Sequence, residues 1–166
     1  MIELTRALRH LQWADDRFFA ALAALPDAAM AARYSPEAWP VDRLAVHIVE
    51  GAQWYRFCLN GTPWTGPHSA ASPADREALW GQLRDLDAVL LAEASASDGE
   101  VCFADEDGPR TVMRSTLLTQ ACIHAAEHRA QIACALEAAG AGRIDLDALD
   151  LWAFEAWERS ALPPSD

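Results

Sequence analysis

Residues 122–131 read Cys122-Ile123-His124-Ala125-Ala126-Glu127-His128-Arg129-Ala130-Gln131, an alanine-rich run that sets two histidines four positions apart. Alanine is the best intrinsic helix former, and in a helix positions i and i+4 share a face with Cβ atoms roughly 6 Å apart. Both imidazoles can then reach one ion at about 2.1 Å. Extending the register gives an inner stripe of Leu117, Ala121, His124, His128, Gln131 and Ala135. Buried imidazoles need polar partners, and alanines on neighbouring turns leave room for an ion. The spacing predicts a helix from about Arg114 to Ala139, stopped by Gly140. Taken alone, the pair fits two core or surface histidines spaced by chance equally well.

Moving outward, the same periodicity recurs. Val41 to Asn60 forms a helix ended by Gly61 and Pro63, with an inner stripe of Leu44, His47, Gly51, Trp54 and Cys58. A bundle that faces these two helices together can add His47 to the pair. Leu4, Leu8, Leu11, Phe18, Leu22 and Leu25 trace one face of a first helix closed by Pro26. Asp15 falls on that stripe, either displaced in favour of Ala14 by drift of the 3.6-residue period, the preferred reading, or set as a polar group inside the bundle. Ser72-Pro73-Ala74-Asp75 has the form of an N-cap, an N1 proline and a first-turn acid, and opens a third helix with a leucine face at Leu79, Leu83, Leu86 and Leu90. No titratable group is expected on that face, which reads as structural. Around Asp105-Glu106-Asp107-Gly108 two short β-leaning pieces suggest a small hairpin between the third and fourth helices. Asp147 is expected to cap a short C-terminal helix through Trp152 and Trp157. The fold class is therefore all-α: a four-helix bundle in one domain, residues 1–160, with a C-terminal tail at 161–166.

Composition narrows the chemistry. The formal charge is −12, from 25 acids against 13 bases, which disfavours nucleic acid and anionic membranes as partners and leaves a small-molecule substrate. All 13 bases are arginine, so Schiff-base and P-loop-lysine chemistry are excluded. Glu3, Arg6 and Arg9 interrupt the N-terminal apolar residues, and no stretch approaches membrane-spanning length, so a cytoplasmic protein is expected. Cys58, Cys102, Cys122 and Cys134 form no C-x-x-C pair; they are expected as reduced, mostly buried thiols, with Cys122 and Cys134 packed between helices away from the histidine face.

The joint pattern resembles the DinB/YfiT-like family of metal-binding four-helix bundles over most of the chain. The resemblance rests on Leu8-Arg9-His10-Leu11-Gln12-Trp13-Ala14, on His47 early in the second helix, on Trp54 to Gly61 at its end, and on His124 to Gln131 followed by Gly140. The H-x-x-x-H-R-x-Q segment is its most specific part. It implies that His47, His124 and His128 are a metal-binding histidine triad, which leaves coordination positions open as catalytic sites do. Ala130 stands where the family commonly has glycine, and His10 where an aromatic is frequent. A solvent-facing His10 is expected. The resemblance also implies a homodimer and a thiol-dependent transferase or isomerase, with a low-molecular-weight thiol as cosubstrate. A metal-dependent thiol S-transferase is the leading expectation; a metal-dependent hydrolase and a non-catalytic, stress-associated metal or ligand binder are the alternatives. Imidazole ligands suit zinc, nickel, copper and iron, with zinc and nickel the first candidates.

His124-Ala125-Ala126-Glu127-His128 also matches H-x-x-E-H, the inverted zinc-protease signature. Those enzymes need a distant third ligand and a larger scaffold, and only 38 residues follow His128. Glu127 is rotated about 100° from His128 and is expected to face a neighbouring helix or solvent. Cys58 lies 11 residues beyond His47, roughly 16 Å along the helix, too far to share its ion. Glu50 and Gln131 are candidates for hydrogen bonds that fix imidazole tautomers, Trp13 and Trp54 for pocket walls, and His68 for an exposed loop.

Overall fold

In a computed structural model, residues 3–63, 65 and 69–161 are described, and they form five helices and one hairpin. The His68 expectation and residues 162–166 of the predicted tail lie outside the described residues. Helix α1 spans Leu4–Ala23, α2 Val41–Asn60, α3 Pro73–Glu93, α4 Arg114–Ala138 and α5 Leu151–Ala161. Strands β1, Glu100–Asp105, and β2, Gly108–Met113, pair antiparallel with Asp105 opposite Gly108.

Local chemistry explains the boundaries. At the start of α3 the Ser72 hydroxyl accepts from the Asp75 N–H at 3.1 Å while the Asp75 carboxylate accepts from the Ser72 N–H at 3.1 Å, a reciprocal capping box. Gly61 ends α2 in the left-handed region at φ 72°, its N–H reaching Phe57 O at 2.8 Å. The C-terminal helix differs from expectation: Asp147 sits in a separate 3-10 turn, and the Asp150 carboxylate accepts from Ala153 N–H at 2.8 Å at the start of α5.

Helices α1 to α4 form the bundle, with α2 packed on α4 and α3, and α1 on α3 and α4. The core contains Leu8, Phe18, Leu22, Ile48, Leu83 and Leu118, all within 2 % of full burial. Each such side chain contributes about 1.5–3 kcal/mol. Helix α5 covers one flank of α1: Phe154 is buried against Trp13 and His10, and Arg6 and Arg9 pair with Glu158 at 3.0 and 3.1 Å. His10 is therefore half-buried instead of solvent-facing, with Nε2 2.8 Å from Leu149 O.

Three polar residues break the expected stripes. Asp15 is 1 % exposed and pairs with Arg129 of α4, so it is an internal charge and not a residue displaced by drift. Asp87, on the α3 face read as plain leucine, is 3 % exposed, between Leu83 and Leu90. Burial, reinforced by the neighbouring Asp15 carboxylate, pushes the Asp87 carboxyl well above its usual range. Arg76 is also buried, its guanidinium held by the carbonyls of Ala70, Ala71 and Leu25 and by Asp27. The cysteines are less buried than expected: Cys58 is buried, Cys122 half-buried, and Cys102 and Cys134 exposed.

Candidate metal centre

The contact of α2 with α4 brings His47 against His124 and His128, and one ligating atom from each lies within 4.8 Å of the others. All three are half-buried, at the margin of the inner stripes instead of deep in the bundle. Their rings pack with centroids 4.4 to 4.9 Å apart. The Nε2 atoms of His47 and His124 are 3.3 Å apart. Ligand nitrogens about 2.1 Å from a tetrahedral ion are roughly 3.4 Å from one another, so this pair already stands at coordination spacing.

Electrostatics favour the neutral rings a metal needs. Burial, then His128 and His47, lowers the His124 pKa to about 4. The His47 pKa is lowered by burial and then by His128. The outer nitrogens are aimed by neighbours. Gln131 Oε1 accepts from His128 Nδ1 at 2.8 Å, which puts the proton on Nδ1 and the lone pair on Nε2. His47 Nδ1 lies 3.5 Å from Glu50 Oε2 but without the alignment of a full hydrogen bond. Glu50 itself is buried and held by Arg43 at 2.7 Å. Glu127 is exposed and takes no part.

Gly51, one turn beyond His47, is a site residue whose role the sequence did not announce. A Cβ there would come within 2.3 Å of His124 Cε1 and 2.7 Å of its Nδ1, so the imidazole occupies the place of the missing side chain. A glycine in mid-helix, four residues after a candidate ligand, was the available signal. Trp39 was also missed; its ring meets His47 edge-on at 5.0 Å, and the Arg43 guanidinium lies 5.1 Å over it.

Two grooves open beside the histidines. One, about 730 Å³, is lined by His47, His124, Trp54, Arg43, Glu50 and the hairpin acids. The other, about 640 Å³, is lined by His128, Tyr34, Trp39, Leu44 and Cys134. Trp54 thus walls the site as expected, whereas Trp13 does not: it packs under α5. Cys134, expected between helices, instead faces the second groove. The donor set, the spacing and the neutral rings fit a divalent ion. A family model described as the DinB family matches residues 1–159, and no curated protein matches the chain.

Proposed function

The chain belongs to the DinB family, and on that premise we propose that it is a metal-dependent thiol S-transferase, with His47, His124 and His128 holding one divalent ion, zinc or nickel. The observation that carries the proposal is the convergence of three imidazoles, one ligating nitrogen of each within 4.8 Å of the others, where His47 and His124 line one groove and His128 lines the other. An ion held there would serve as a Lewis acid, lowering the pKa of an entering thiol and orienting it. Gln131 orients His128, Gly51 admits His124, and Trp39 with Arg43 backs His47. Cys58 and Cys122 are poor nucleophiles, since burial pushes their thiols up to about 11, while Cys134 is exposed in the His128 groove. In this reading the nucleophile enters as a cosubstrate, and labelling of Cys134 is the competing outcome.

Untagged protein is expected to carry close to one equivalent of divalent metal, and His47→Ala and His124→Ala less than a tenth. With metal and a low-molecular-weight thiol, monochlorobimane should be conjugated catalytically, and His128→Ala should abolish it. Two results would overturn the proposal. One is absence of turnover with every thiol while esters or amides are hydrolysed; the other is a single round of labelling at Cys134 without added thiol.

A further inference from the structure

The two grooves differ in a way that sorts two substrates. The groove holding His128 is walled by Tyr34, Ala38, Trp39, Leu44 and Ala135 and contains no Asp, Glu, Lys or Arg side chain. The groove holding His47 and His124 presents Arg43 and Glu50 on α2 and Asp105, Glu106 and Asp107 on the hairpin. Between them stands the Trp39 ring, capped by Arg43: the tryptophan faces the apolar groove and the guanidinium the charged one. Yet His128 lies only 4.7 Å from His47 and 4.4 Å from His124, centroid to centroid. Occupants of the two grooves would thus meet at the triad.

We infer that the chain has two segregated substrate subsites: the His128 groove takes the uncharged apolar body of the electrophile, and the His47–His124 groove takes a thiol bearing an ammonium group. This rests on the transferase function proposed above. Removing an apolar body from water into the first groove is favourable, whereas a charge there would find no partner. In the second, Arg43 is neutralised by Glu50, and Arg110 pairs with both Asp105 and Asp107, which leaves Glu106 at the exposed tip as the acid without an ion-pair partner among the described residues. In the transfer, the thiol S–H bond breaks with its proton passing to solvent, a sulfur–carbon bond forms, and the carbon–chlorine bond of monochlorobimane breaks with chloride leaving. No oxidant or reductant is required.

Steady-state kinetics with both substrates varied separate the subsites. Tyr34→Asp and Cys134→Asp alter exposed positions and put a charge in the apolar groove. Each is expected to raise the KM for monochlorobimane at least tenfold and to leave that for cysteamine within twofold. Glu106→Arg should do the reverse, and should erase a preference for cysteamine over uncharged 2-mercaptoethanol. Binding of an unreactive dimethylbimane to metal-free protein, followed by bimane fluorescence, should weaken in Tyr34→Asp and not in Glu106→Arg. If both groups of variants shift both KM values alike, or if dimethylbimane binding ignores Tyr34→Asp, the segregation is wrong even though transfer stands. If wild-type protein conjugates nothing while dimethylbimane binding still responds to Tyr34→Asp, the transferase function fails and the apolar subsite survives.

Discussion

At position 51 the chain gives up helix stability for a ligand. Glycine inside a helix costs about 0.5–1 kcal/mol relative to alanine, yet here the space beside its Cα is filled by His124. Gly51→Ala is therefore expected to have opposite effects on fold and site. The far end of the His124 side chain can rotate away at little cost to the bundle, so the metal-free protein should melt no lower than wild type. The displaced ring can no longer meet His47 at coordination spacing, and zinc affinity should fall roughly 10- to 100-fold, the range seen when a ligand's supporting contacts are lost. Competition with a chromophoric chelator measures the affinity and circular dichroism the melting. Unchanged affinity would mean that the close approach is incidental.

Between elements, α1 and α4 are joined by Asp15 and Arg129, the latter adjacent in sequence to the candidate ligand His128, in a pair that spans 114 positions. Arg129 is thus the residue through which the H-x-x-x-H-R-x-Q segment is ion-paired to α1. Arg129→Met leaves Asp15 beside Asp87 with no counter-charge, and should destabilise by about 3–5 kcal/mol in denaturant unfolding. Adding Asp15→Leu should recover part of that loss, because it removes the stranded charge; a double variant as unstable as the single one would show that packing, not charge, dominates. Helix ends such as Ser72–Asp75 and Gly61 were legible in the sequence because capping is written within a few residues. The histidine pair was legible for the same reason. Asp15 and Asp87 were not: a polar residue on an apolar stripe looks like drift until its distant partner is in place. Cys134 and His10 were misplaced likewise, since their surroundings come from other elements, the Tyr34–Trp39 loop and α5.

Across the whole molecule, the joining of His47 to the other two histidines was suggested by stripes and by resemblance, while the angle at which α2 meets α4 had to come from the structure. Volume alone would have misled: a larger groove, about 1010 Å³ between α1, α3 and α5, contains none of the three histidines. The site instead lies where the three imidazoles converge, and the buried acids lie behind it in the core. Those acids should govern how stability depends on pH. Asp87 has a carboxyl raised well above the ordinary carboxylate value of 3.8, by burial first and then by Asp15, with Arg129 opposing and Asp16 adding to the rise. The folded state therefore holds this proton more tightly than the unfolded chain does. Stability from this group is full below about pH 4 and is lost as pH rises from there through the folded value. His10, His47 and His124 work in the other direction, since their folded values are lowered, so the wild-type curve mixes both signs. The difference between wild type and Asp87→Asn cancels the histidines. With metal removed, the variant should gain stability relative to wild type between pH 5 and pH 8, read as the difference in midpoint of urea unfolding. A difference that stays flat over that range would place the Asp87 charge in water in the folded protein, and with it the internal acid pair would lose its physical basis.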